Sequence, residues 1–182
     1  MKKVVMFLLA SVMIFSATAC SLVKTENSAA NSSEKADVKI ENSSYNKKAE
    51  PKKALKEIYK NVEREYGLVD ADDDVMSDVM GFDMENVEEY YVRYMETDFG
   101  ASDVFIIKAV EGMENEVRGD LKNWQESRVR AFLNYDIYNS TEISQNALIF
   151  QRGEYIIMLA LEDNESAREI IEKYIPEEYN LD

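Results

Sequence analysis

Asp70, Asp72 and Asp74 stand in D-x-D-x-D spacing, the first three ligand positions of a calcium loop, and oxygen ligands are what a hard cation prefers. The rest of such a loop is missing: Val75 takes the sixth position, where a Gly makes the turn, and Gly81 the twelfth, where a bidentate Glu belongs. An EF-hand is excluded, and the acids read as a solvated helix start whose dipole they suit. Asp98-Phe99-Gly100 echoes a kinase element, but no Gly-rich phosphate loop or HRD sequence accompanies it. It reads as a turn. Histidine is absent, which removes Ser-His-Asp and Cys-His nucleophilic machinery, histidine-ligated zinc and histidine-based pH sensing. Two suitably spaced carboxylates suffice to hydrolyse a glycoside, yet among 36 acidic residues no pair selects itself. No catalytic residue, metal site or cofactor is expected from these patterns.

Aromatic side chains offer a different chemistry. Tyr90, Tyr91 and Tyr94 share one segment and Tyr135 and Tyr138 a later one, and groups of this kind often anchor partner proteins or sugar rings. The simpler expectation is that alternate tyrosines pack inward with their hydroxyls at the rim. Trp124 falls on an apolar helical stripe and is expected in the core.

The lone cysteine, Cys20, has the most specific surroundings. Lys2 and Lys3 precede an apolar run from Val4 to Phe15, and the small residues Ser16-Ala17-Thr18-Ala19 lead up to Cys20. A membrane-spanning helix needs about 20 apolar residues; this stretch is shorter and ends in a cleavage region, so it reads as a secretory signal peptide over 1–19 that is removed. Ala17-Thr18-Ala19-Cys20 resembles the lipobox of bacterial lipoproteins, with Ala17 where that motif usually carries Leu. The resemblance implies cleavage between Ala19 and Cys20 and a diacylglycerol on the Cys20 thiol. With one cysteine no intramolecular disulfide can form, and lipidation gives an exported thiol a use. Two acyl chains hold a protein stably where one does not.

Removing Lys2 and Lys3 with the leader takes the formal charge from −15 to −17. Such a surface repels phosphate backbones and anionic headgroups, so nucleic acid is not an expected partner and the lipid has to anchor the chain. From Ser21 to Lys52 the sequence is rich in Ser, Asn, Lys, Glu and Ala without a sustained period, which reads as a disordered tether spanning roughly 30 Å. Residues 53–182 are long enough for one acidic domain with its own core.

Within that domain, Leu55, Ile58, Tyr59, Val62 and Tyr66 recur at helical spacing, with Gly67 as the stop. Leu68 to Asp83 is expected to be a loop or short helix in which Val75, Met76, Val79 and Met80 share a face. Residues 88–96 and 103–110 read as a hairpin, and 147–152 and 155–161 as a second one joined through Gly153. Ile156 to Leu161 is apolar on both faces, so its strand should lie inside the sheet. A long helix carries Val117, Leu121, Trp124, Val129, Phe132 and Leu133, the stretch YDIYNSTEISQ is a polar connection, and a last helix capped by Asp163 or Asn164 turns Ala167, Ile170, Ile171 and Tyr174 inward. The expected fold is α+β in the order α-β-β-α-β-β-α, a four-stranded antiparallel sheet covered by helices. Asp103 to Glu111 (DVFIIKAVE) also aligns on Glu154 to Glu162 (EYIIMLALE), as in a degenerate repeat.

The lipobox, polar tether, ASDVFIIKA strand, long helix, NYDIYN loop and ALIFQRGEYIIMLA hairpin together resemble a family of small lipoproteins of Gram-positive bacteria, classed as a domain of unknown function, over roughly 83–175. The resemblance implies a surface lipoprotein with one α+β domain and carries no catalytic residues. The function expected is a membrane-anchored, extracytoplasmic and non-catalytic module that binds an envelope protein, peptide or glycan. The alternative is an envelope hydrolase working with carboxylates alone.

Overall fold

The computed structural model describes residues 48–61 and 66–177, all within one unit, Glu41–Asp182. Pro51, with its preset φ, opens α1 (Pro51–Ile58), which continues as a 3₁₀ turn, Tyr59–Asn61. Strands β1 (Leu68–Asp70), β2 (Val87–Met95) and β3 (Asp103–Ala109) follow, then α2 (Glu114–Phe132), α3 (Ser140–Gln145), β4 (Leu148–Arg152), β5 (Tyr155–Ala160) and α4 (Asn164–Tyr174). Every strand pairing is antiparallel, in the sheet order β1-β2-β3-β5-β4.

The α+β class and the antiparallel sheet agree with expectation, but the sheet has five strands, not four. The extra strand, β1, lies in the segment expected to be a loop or short helix. It pairs Val69 with Tyr94 and Asp70 with Arg93 at the sheet edge, and three residues are too few to display an alternating period. A second addition is α3, inside the polar connection, so the order is α-β-β-β-α-α-β-β-α. The π-helical turn Val75–Val79 is also a departure. Its Met80 amide reaches back to the Val75 carbonyl at 3.0 Å, and the wider turn sends Val79 outward, 60% exposed, while Met76 and Met80 stay buried.

Alternation along the inner strands divides the core in two. Phe105, Ile107, Ile156 and Met158 face α2, α3 and the π-helical turn, whereas Val104, Ile106, Ile157 and Leu159 face α1 and α4. β5 is buried along its whole length, as its two-sided apolar run requires, and each such aliphatic side chain contributes about 1.5–3 kcal/mol over an exposed one. Tyr66, expected on the inner face of the first helix, is instead 80% exposed and meets Phe99 edge-on at 4.8 Å. Gly67 beside it has φ +89°, and a Cβ there would lie 2.4 Å from the Phe99 ring.

The two aligned segments lie side by side, with Ile106 opposite Ile157, the same two residues that the alignment superimposes. A two-fold axis normal to the sheet at that pair exchanges β3 with β5 and β2 with β4. It does not exchange the helices, because α2 and α4 cover opposite faces. The internal likeness is one of strands.

Candidate functional site

Ala19 and Cys20 lie outside the described residues, as do the leader and the tether to residue 47. The acids in and around the D-x-D-x-D stretch turn to different partners. Asp70 receives Arg93 bidentately, Nε at 2.6 Å and Nη2 at 2.9 Å, and the Arg93 guanidinium holds its carboxyl below the usual range. Asp72 accepts the Val75 amide at 2.9 Å and caps the turn. Asp73 takes the Tyr90 hydroxyl at 2.5 Å. Among the described residues no group of three or more His, Cys, Asp or Glu is arranged to hold a metal ion. Thr97–Phe99 is a 3₁₀ turn, as expected for Asp98-Phe99-Gly100.

The strand tyrosines follow the simpler reading. Tyr94 is buried against Trp124, ring centres 6.3 Å apart at 86°, and Tyr90 and Tyr91 are half-buried with their hydroxyls on Asp73 and Glu89. Burial and Asp73 push the Tyr90 phenol up to about 12; Glu89 and burial do the same at Tyr91.

Two polar residues not singled out from the sequence organise the connection between β2 and β3. Arg128 takes the place expected for Val129 on the buried stripe of α2, beside Val117, Leu121, Trp124 and Phe132. Its Nε lies 2.9 Å from Asp103 Oδ2, an ionic contact without the alignment of a hydrogen bond. Its Nη2 donates to the carbonyls of Met95 (2.9 Å) and Gly100 (2.6 Å) and to Asp103 Oδ1 (3.2 Å), and its Nη1 to Thr97 Oγ1 (3.0 Å). Asp103 also accepts the Met95 amide and Trp124 Nε1, each at 3.2 Å. Burial pushes its carboxyl above the usual range while Arg128 and these donors pull the other way. From the opposite face, the Tyr59 hydroxyl donates to the Ser102 carbonyl at 2.8 Å. Arg128 and Asp103 themselves are sealed from solvent and position the connection.

Accessible chemistry gathers instead where α2 meets α3. Leu133, Tyr135 and Tyr138 are 60%, 76% and 65% exposed, against the expectation that Leu133 faces inward; α2 ends at Phe132, and Leu133 leaves its stripe. Tyr138 and Asn139 have φ +51° and +61°, a left-handed backbone that costs a residue with a side chain roughly 1–2 kcal/mol. Two local bonds and one tertiary bond hold this conformation. The Ser140 amide donates to the Ile137 carbonyl at 3.0 Å, the Thr141 amide to Asp136 Oδ1 at 2.9 Å, and the Ala101 amide to Ser140 Oγ at 2.8 Å.

Asn139 also lines a cleft of about 430 Å³ between α3 and the start of α4. Ile143 and Leu161 supply its apolar floor, Asn139, Asn146 and Asn164 its amides, and Glu142, Glu162, Asp163 and Glu165 its carboxylates. Asp163 caps α4 through the Ser166 amide at 3.0 Å and hydroxyl at 2.6 Å, which hold its carboxyl below the usual range. Asp120, on α2 and outside the lining of the cleft, also has its carboxyl held high, by burial and by the charges of Asp83 and Glu116. Among the described residues no helix is long and apolar enough to cross a membrane.

Residues 60–161 match the model of a family described as "Domain of unknown function (DUF4358)", in keeping with the resemblance to a family of that kind, although the match begins earlier and ends sooner than 83–175. No curated protein and no solved structure matches the chain.

Proposed function

We propose that this chain, which belongs to the DUF4358 family, is a lipid-anchored extracytoplasmic binding module of the Gram-positive cell envelope. The leader and Ala17-Thr18-Ala19-Cys20 support the anchor, with Cys20 as the lipidated residue. The observation that carries the binding role is the exposure of Leu133, Tyr135 and Tyr138, the last of them next in the chain to Asn139 of the cleft. Exposed aromatics on a pre-organised loop bind with little ordering cost. A carboxylate hydrolase asks for paired acids in a cleft with one held high. Among the described residues the carboxyls held high are Asp103 and Asp120, and both lie outside the cleft, which favours binding over catalysis.

The test is affinity capture from intact envelopes by the full lipidated chain and by its Tyr135→Ser/Tyr138→Ser variant. One envelope component retained by the wild type and lost by the variant is the expected result. Equal retention by both would place binding elsewhere.

A further inference from the structure

We infer that the outer edge of β4 takes up an extended acidic segment of a partner protein as a sixth strand of the sheet. This surface is separate from Leu133, Tyr135 and Tyr138, and the inference stands without the binding role proposed above.

The hairpin decides which backbone groups face outward. β4 and β5 close through the two-residue turn Gly153-Glu154, with Arg152 opposite Tyr155 and no bulge along the ladder. A closing pair of this kind exchanges both of its hydrogen bonds. Arg152, Phe150 and Leu148 therefore bond to β5, while Ile149 and Gln151 turn their N–H and C=O groups away from it. Among the described residues no other backbone group bonds to those four. An edge left in this state accepts a further strand, and proteins usually block it by brevity, charge, proline or a bulge. β1, at the opposite edge, has three residues and ends in the Asp70–Arg93 pair. β4 has five, of which only the last is charged.

Charge selects the occupant. Arg118 reaches the edge from α2, its Nη2 donating to Gln151 Oε1 at 2.8 Å, and among the described residues no carboxylate pairs with it. On the other face Arg168 lies over the Phe150 ring at 5.2 Å, and Arg152 ends the strand. Arg168 and Arg152 meet Glu172 at 3.3 Å and Glu177 at 3.4 Å, both exposed acids. Pairs of that kind contribute little and exchange readily for an incoming carboxylate. Guanidinium groups thus stand on both faces of one open strand. The net charge of −15 repels an acidic segment from afar, but salt near 0.1 M screens that repulsion beyond about 10 Å, so the local arginines decide at contact. A second copy fits worse, because a two-fold axis at Phe150 would turn Arg168 toward its own counterpart, and Arg118 likewise.

The experiment titrates the full chain, held in neutral detergent micelles at about 0.1 M salt, with a fluorescein-labelled alternating Glu-Thr octapeptide. An alternating Lys-Thr octapeptide and the Glu-Thr peptide N-methylated at every residue serve as comparison ligands. Saturable one-to-one binding of the Glu-Thr peptide is expected, with both comparison peptides at least about tenfold weaker and hydrogen exchange at the Ile149 and Gln151 amides slowed at least about tenfold. Arg118→Gln should weaken binding about threefold. Gln151→Pro, which removes an outward donor and leaves the ladder to β5 intact, should weaken it about fivefold. Lys56→Gln, the same charge change as Arg118→Gln but on α1, should stay within about twofold. If the N-methylated peptide binds as well, or the two amides exchange unchanged in the complex, no strand is added and the inference falls. It falls also if the Glu-Thr peptide does not bind, or if the Lys-Thr peptide binds as tightly. Lys56→Gln weakening binding as much as Arg118→Gln would make the attraction diffuse and refute the selecting role of the edge arginines. Protection of the two amides that grows with protein concentration in the absence of peptide would give the edge to a second copy and overturn the partner segment.

Discussion

Asp103 and Arg128 meet with both side chains shut off from solvent, Arg128 Nε lying 2.9 Å from Asp103 Oδ2. Their partners are almost all parts of the β2–β3 connection, so the pair ties α2 to that hairpin. Arg128→Met should lower the unfolding free energy by about 3–5 kcal/mol, because it strands a buried carboxylate. Asp103→Leu/Arg128→Met should recover part of the loss, since an apolar replacement of a buried pair is often close to neutral. Urea denaturation measures both, and a single variant within about 1 kcal/mol of wild type would contradict the role given to the pair.

Gly67 and Gly81 separate two costs of a side chain. Both have positive φ, +89° and +79°, but only at Gly67 does a Cβ run into a neighbour, the Phe99 ring. Gly81→Ala should cost about 1–2 kcal/mol from the backbone alone, and Gly67→Ala a further 1–3 kcal/mol or so from overpacking. Thermal unfolding of the two variants should therefore rank Gly67→Ala as clearly the less stable.

Acid should remove one cross-strand interaction. Arg93 lowers the Asp70 carboxyl from its usual value, so the bond stabilises the fold above the unfolded value and is lost as pH falls through the lower folded one. Because the Asp70 side chain is 64% exposed, the effect should stay under about 1 kcal/mol. Asp70→Asn should thus be less stable than wild type at pH 7, with the gap closing below about pH 4. A gap that persists unchanged in acid would show that the charge on Asp70 contributes nothing.

Cys20→Ser tests the anchor. A hydroxyl does not replace the thiol in forming the thioether, so the variant should take up no labelled fatty acid and should leave the membrane fraction. The acidic chain offers anionic headgroups no compensating attraction. A variant that remains fully membrane-bound would remove Cys20 from that role.

What the sequence disclosed follows from how local each signal is. Tyr155–Ala160 announces an interior strand because six residues in a row are apolar, and Asp163 announces a helix start because its bonds reach only to Ser166. β1 stays hidden because three residues show no period, and α3 because its polar sequence buries only Ser140, Ile143 and Ser144. Arg128 is the instructive omission. Counting 117, 121, 124, 128, 132 keeps strict three- and four-residue steps, but a charge at 128 directs the eye to Val129. Only the partner explains the arginine, and Asp103 is 25 residues away in sequence. The tyrosine loop is visible as composition; the left-handed backbone at Tyr138 and Asn139 is not, since the tyrosine's residue type does not announce it.

The Glu50–Tyr174 bond has a mechanical meaning. A load drawn along the chain ahead of Ala49 reaches the Glu50–Tyr174 backbone hydrogen bond and the seat of α1 on α4, β2 and β3. Pulled from its end, α1 comes away turn by turn, and the next element in line is β1, three residues at the edge of the sheet. Beyond it the ladders of β2, β3, β5 and β4 still hold one another. In single-molecule extension from the N-terminal side, the molecule should yield in at least two steps, a weak one that releases α1 and β1 and a stronger one that breaks the four-stranded remainder. On that expectation the first step acts as a fuse, giving up α1 and β1 under strain while the β2-β3-β5-β4 remainder holds.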